Sequence, residues 1–181
     1  VNTISDHSTV LHFACKNPEK CKELVELLIE KGADVELVDK YRKTALHLIL
    51  ENENIDDKSK KKLIELLLKN KASANALNND GDSYLHLILK SNMYSLQKKE
   101  LVELLLENGA NPNTKNLRNQ SLLDLLFWNN NKKENTQDSD IVKLLVAYGA
   151  REFSLNKTGS QACEVNKELF KQFLEEAKEY K

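Results

Sequence analysis

The stretch Thr44-Ala45-Leu46-His47, which runs on into Leu48-Ile49-Leu50, recurs along the chain. It corresponds to Thr9-Val10-Leu11-His12 before it, and to Ser83-Tyr84-Leu85-His86 and Ser121-Leu122-Leu123-Asp124 after it. A hydroxyl residue opens each copy and suits a helix N-cap, because its oxygen can accept an orphan backbone N–H. Phe13 and Ala14, Leu48 to Leu50, Leu87 to Leu89 and Leu125 to Phe127 then continue a short buried helix. An internal repeat of this kind decides the fold before any single residue is considered.

A second apolar helix follows each first one. Its core positions are Leu24, Val25, Leu27, Leu28 and Ile29, and then Leu63, Ile64, Leu66, Leu67 and Leu68. The third and fourth copies supply Leu101, Val102, Leu104, Leu105 and Leu106, and Ile141, Val142, Leu144, Leu145 and Val146. A helix this apolar must be covered on several sides, and neighbouring copies are the obvious cover. All five glycines fall into two slots ten residues apart: Gly32, Gly109 and Gly149 in the first, Gly81 and Gly159 in the second. The first slot ends the second helix, where a left-handed C-cap needs no Cβ. Lys71 is the exception there. The second slot lies in a polar turn, where Arg42 predicts a distortion and Asn119 is tolerated.

A lone copy should not fold. Ordering its backbone costs ~1–2 kcal/mol per residue. About ten apolar side chains return only ~1.5–3 kcal/mol each, and only when fully buried. Stacked copies supply that burial, with caps at the ends.

Composition narrows the function classes. The 181 residues are 40% hydrophobic and 30% charged, with a net charge of −1. That disfavours nucleic-acid binding through a general basic field. No apolar run approaches the ~18 residues that span a bilayer, and no signal-peptide pattern opens the chain. Cys15, Cys21 and Cys163 are irregularly spaced, which points to a reducing, cytoplasmic or otherwise intracellular compartment. The chain begins at Val1 rather than methionine, which suggests an excised segment. Lysine outnumbers arginine 24 to 3, the bias of an AT-rich coding sequence. Phosphate-binding, zinc-protease, nucleophile-elbow and C-x-x-C motifs are absent.

The first-helix signature, the paired helices, Gly-Ala-Asp-Val at 32–35 and Gly-Ala-Asn-Pro-Asn at 109–113 resemble the ankyrin repeat over roughly Ile4 to Gly159. The resemblance implies an all-α solenoid of paired antiparallel helices with hairpin-like turns, or fingers, and a concave inner face that binds a protein. It places about four repeats near 4–36, 39–75, 78–113 and 116–153, with a degenerate fifth turn, inside an array of residues 1–161. Residues 162–181 carry Val165, Leu169, Phe170, Phe173, Leu174 and Ala177 on one helical stripe. They read as a capping helix or as a docking helix for a second partner. Copies recur every 35 to 40 residues, against about 33 in the family. The excess is expected in loops between the two helices, at 17–22, 52–61, 92–99 and 129–140. Irregular arrays of this type look like those of intracellular bacteria and large DNA viruses. That resemblance adds a host-directed adaptor, or the targeting segment of a larger effector or ligase-recruiting protein, as the alternative role, with delivery into a host cell.

His12, His47 and His86 recur in register. Helix axes packed side by side stand ~8–10 Å apart, whereas zinc ligands lie ~2.0–2.1 Å from the metal. The histidines therefore form a ladder, each bonding turn backbone and tying repeats together. His12 and Cys15 share a helix face, but Cys15 occupies a slot held by Leu50, Leu89 and Phe127, which makes it a small core residue. Cys21 falls in a loop and is expected to be accessible. No enzyme activity, cofactor or metal is expected.

By the resemblance, partner recognition falls on exposed residues of the fingers and first helices. These are Lys40, Tyr41, Lys43, Glu51 and Asn52; Asn79, Asp80, Asp82, Lys90 and Ser91; and Leu117, Arg118, Gln120, Trp128 and Asn129. Tyr41, Arg118 and Trp128 are the expected anchors, since Tyr, Trp and Arg are enriched in binding hot spots. Trp128 replaces Lys16, Glu51 and Lys90 of the other copies, and it serves either the partner or the tail helix. The expected state is a monomer that binds another protein, with neither nucleic acid nor membrane as partner.

Overall fold

The computed structural model describes residues 2–5, 8–17, 19–129, 138–151, 171–172 and 174–175. The side chains of residues 4, 5 and 127–129 are outside that description. A short antiparallel pair, β1 (Ile4–Ser5) and β2 (Ser8–Thr9), precedes four helix pairs. These are α1 (Val10–Lys16) with α2 (Cys21–Glu30), α3 (Ala45–Glu51) with α4 (Asp57–Lys69), α5 (Tyr84–Lys90) with α6 (Ser95–Glu107), and α7 (Leu122–Asn129) with α8 (Ser139–Ala147).

The pairs stack in register. First helices pack in the series α1, α3, α5, α7, and second helices in the series α2, α4, α6, α8. The core lies between the two layers and between successive pairs. Ile49, Ile64, Leu67, Ile88, Leu105 and Leu122 are fully buried in it. No large sheet is needed, because each helix satisfies its own backbone, and the inner helices α3 to α6 bury their apolar stripes on three neighbouring helices each.

The ends of the second helices follow the glycine slot closely. At Gly32 the backbone has φ +78°, Gly32 N–H donates to the Ile29 carbonyl, and Ala33 N–H donates to that of Leu28. This is the paired bonding of a Schellman C-cap. Lys71 adopts φ +68° and makes the equivalent bonds with Leu68, while Ala72 bonds Leu67, so the cap survives without glycine.

Three expectations are corrected. The extra residues of the second and third copies do not all form loop: α4 and α6 each run to 13 residues, against 10 in α2. The Asp56 carboxylate accepts from Ser59 N–H at 3.0 Å and starts α4 inside the polar stretch. Arg42 does not distort its turn. It takes φ +58°, and its finger keeps the same backbone bonds as the others, Asp39 N–H to Lys43 O and Arg42 N–H to Asp39 O. Cys21 is the first residue of α2 and is buried, with its Sγ 3.7 Å from the Cys15 carbonyl oxygen. The polar stretch 130–137, the degenerate fifth turn and most of the expected capping helix at 162–181 lie outside the described residues.

Candidate partner-binding surface

Each finger is built around one buried side chain. Asp39, Asn78 and Asn116 occupy the same slot, and each Oδ1 accepts two backbone N–H groups across its turn. For Asp39 these come from Tyr41 and Lys43, for Asn78 from Asp80 and Asp82, and for Asn116 from Arg118 and Gln120. The turn is thus set by hydrogen bonds from inside, which leaves the tip side chains to chemistry rather than to folding. Fingers also join one another: Asn79 N–H donates to Tyr41 O at 3.0 Å, and Leu117 N–H to Asp80 O at 2.9 Å. Gly81 is fixed by that approach, since a Cβ there would stand 2.8 Å from the Leu117 nitrogen.

The tips present contrasting groups. Tyr41 is half exposed, with the Lys40 and Lys43 ammonium groups 5.0 and 5.9 Å from its ring centre. Cation–π attraction holds the two lysines around the ring. In the next finger the Tyr41 slot holds Asp80, and in the fourth copy it holds Arg118; both are exposed. Leu117, in the slot of Lys40 and Asn79, is 79% exposed.

Behind the tips, ion pairs join the fingers of the second and third copies to the ends of their own first helices. Lys43 meets Glu51 at 2.6 Å, and Asp82 meets Lys90 at 2.6 Å. The two pairs occupy the same slots with the charges exchanged. Lys16, in the Glu51 slot of the first copy, instead reaches Asp39 of the following finger at 3.5 Å. Burial disfavours the charged Asp39 carboxylate, but the N–H groups of Lys43 and Tyr41, with Lys16, outweigh it and hold its pKa below the ordinary value.

Several expected site residues have structural partners. Asp82 is only 5% exposed, because Lys90 and the Asn116 amide (2.8 Å) enclose it, so the expectation that it is exposed is corrected. Gln120 accepts from the same Asn116 amide through Oε1. Asn52 donates to the Cys15 carbonyl at 2.9 Å and links two repeats. Ser91 Oγ donates to Ile88 O and closes α5. Asn79 reaches Lys40 O at 3.4 Å. Trp128 and Asn129 end α7, and their side chains lie outside the described residues.

The histidines sit beneath this surface. His12 Nδ1 accepts from Thr9 N–H at 3.0 Å, which leaves the proton of the neutral ring on Nε2 to donate to Lys43 O at 3.0 Å. His86 repeats this with Ser83 and with Gln120 O. His47 caps Thr44 in the same way, but its Nε2 has no hydrogen-bond partner, although the Asp82 carbonyl occupies the matching register. There Tyr84 replaces the small Ala45 of the previous copy. Its ring centre lies 4.4 Å from that of His47, and its hydroxyl is 2.8 Å from Thr44 Oγ1. Burial lowers the pKa of all three rings, that of His47 to about 4, and raises that of Tyr84 to about 12.

Among the described residues, no three His, Cys, Asp or Glu side chains converge on a metal position, and no helix is long and apolar enough to cross a membrane. Burial pushes the Cys15 thiol well up and that of Cys21 to about 11, so neither is an activated nucleophile. A groove of about 630 Å³ between α2 and α4 is lined by Glu26, Glu30, Lys62, Glu65, Lys69 and Asn70, with only Ile29 and Leu66 as apolar members. That lining lacks the apolar walls of a small-molecule site.

Sequence reasoning missed exposed apolar groups away from the fingers. Tyr94 and Leu96, at the start of α6, are largely exposed, and Val10, Phe13 and Leu27 on the first pair are about half exposed. Tyr94 was legible as an aromatic in a polar loop; Val10, Phe13 and Leu27 sit at positions that are buried or half-buried in the remaining copies, whereas Leu96 stands where Glu19 and Lys58 are exposed.

A family model for ankyrin repeats matches residues 11–116 in three copies. No curated protein matches the chain.

Proposed function

The chain belongs to the ankyrin repeat family, whose members are generally protein–protein interaction modules, and we propose that it is a non-catalytic module that binds a partner protein through its finger tips and concave face. The observation that carries this reading is the row of tips. Tyr41, Asp80 and Arg118 occupy one slot and Leu117 stands beside them, held out by turns braced from inside by Asp39, Asn78 and Asn116. Such pre-ordered turns lose little backbone freedom on binding, which favours affinity from a few anchors. The surface mixes an aromatic ring between two lysines, an acidic tip and an apolar–basic tip, a pattern suited to a specific polypeptide rather than to a uniform polyanion. Trp128 remains in the proposal by residue type. The partner is engaged by a monomer, without a cofactor.

Affinity capture with the intact chain and with a Tyr41→Ala/Leu117→Ala/Arg118→Ala variant tests the reading. A protein held by the first and lost by the second, with the two circular dichroism spectra alike, is the expected result. Equal capture by the folded variant would reject this surface.

A further inference from the structure

The first helix pair carries an inter-repeat face that nothing covers among the described residues. Val10 is 49% exposed, whereas Ala45, Tyr84 and Leu122 in the same slot are fully buried. Leu27 is 49% exposed, whereas Leu66 and Leu104 in its slot are half-buried and Leu144 is buried. Phe13 is 57% exposed, whereas Leu87 and Leu125 in its slot are half-buried and Leu48 is buried. Leu24 and Leu28 are half-buried, although Leu63, Leu101 and Ile141, and likewise Leu67, Leu105 and Leu145, are buried. In each later copy this face is covered by the preceding helix pair, as α3 is by α1 and α4 by α2.

The residues ahead of α1 show what fits there. Asn75 pins the following repeat by donating to Gly109 O and accepting from Asn111 N–H; Asn113 does the same with Gly149 O and Arg151 N–H. Asn2 makes the matching pair, donating to Gly32 O at 3.4 Å and accepting from Asp34 N–H at 2.8 Å. Ile4 pairs with Thr9 as Leu77 pairs with Ser83 and Lys115 with Ser121. Asn2 and the β1–β2 pair therefore occupy the places that, in later copies, belong to the finger trailing a helix pair, with the exposed apolar face directly beside them.

We propose that the face formed by Val10, Phe13, Leu24, Leu27 and Leu28 is an inter-repeat interface whose occupant is a helix pair of this chain's own repeat type, joined in register ahead of Asn2 and the β1–β2 pair. It is an interaction surface separate from the finger tips and takes an apolar helical hairpin instead of a charged segment. The third copy supplies a suitable occupant, because its covering face already receives Leu122 and Leu125 in the slots of Val10 and Phe13.

The test fuses a second copy of residues 83–111 directly ahead of Val1, so that Val1 takes the place of Pro112. Stability in a stacked array is approximately a sum of repeat and neighbour contributions. The fused protein should therefore unfold at a temperature higher by about 5 °C or more. Phe13→Glu should remove most of that gain in the fused protein, yet shift the unfused chain by less than about 2 °C. An absent gain, or a gain that Phe13→Glu leaves intact, would overturn the proposal. So would a concentration-dependent dimer of the unfused chain, seen by sedimentation and dissolved by Phe13→Glu, since the occupant would then be a second copy.

Discussion

The second and third repeats use the same slots for opposite chemistry. In the second, a lysine of the finger meets a glutamate at the end of the first helix; in the third, an aspartate of the finger meets a lysine. The inner histidines differ as well. His86 reaches the next finger's carbonyl, whereas His47 leaves Nε2 unpaired beside the Tyr84 ring. Slots decide where a side chain stands, and the exchange of residues within a slot decides what the surface offers a partner. Architecture and recognition are thereby written on different positions of each copy.

The Tyr84 ring and hydroxyl both join the third repeat to the second. Tyr84→Ala removes a fully buried ring and the bond to Thr44, and is expected to lower the unfolding free energy by about 3–5 kcal/mol in urea titration. Tyr84→Phe keeps the ring and should cost only about 0.5–1.5 kcal/mol. A Tyr84→Ala cost as small as that of Tyr84→Phe would show that the second and third repeats close up without the ring.

Acid should act chiefly through His47. Its folded pKa, about 4, lies below the ordinary 6.5, so the unfolded chain takes up a proton first as pH falls. Stability is then fully present above about pH 6.5 and is lost progressively toward pH 4, by an amount on the order of 3 kcal/mol. His12 and His86 shift in the same direction. Urea titrations from pH 7 to 4 check this, and His47→Gln should flatten part of the slope. A slope unchanged in that variant would place the acid sensitivity elsewhere.

The smallest expected effect is the most pointed for the comparison. Lys43→Asp with Glu51→Lys gives the second repeat the polarity of the third. Because partly exposed pairs contribute little, stability should change by less than about 1 kcal/mol. Binding of the captured partner should nevertheless weaken, since the charge presented beside Tyr41 is reversed. Stability lost with binding intact would mean that the pair serves the fold.

Much of the array was legible in the sequence, because apolar period, hydroxyl N-caps and the glycine slot all act locally. The lengths of α4 and α6 were not, since their first turns are polar and carry no apolar period; Asp56 and a lysine-rich run extend α4 by capping and propensity. Arg42 was misjudged because the turn is held by Asp39 rather than by the residue at positive φ. The burial of Asp82 was hidden because Lys90 reaches back to it from the far end of its own first helix and Asn116 meets it only once the next copy stacks. Tyr41 and Leu117 were legible as candidates, since tip residues break the repeat and make few packing contacts.

Hydrogen exchange of the chain with and without its captured partner tests the central claim most directly. Slower exchange across 39–44, 78–84 and 116–122, with the backbone of 57–69 and 95–107 unchanged, is the expected result. Protection confined to those two second-helix segments, with the fingers unaffected, would contradict the claim that the finger tips and concave face bind the partner.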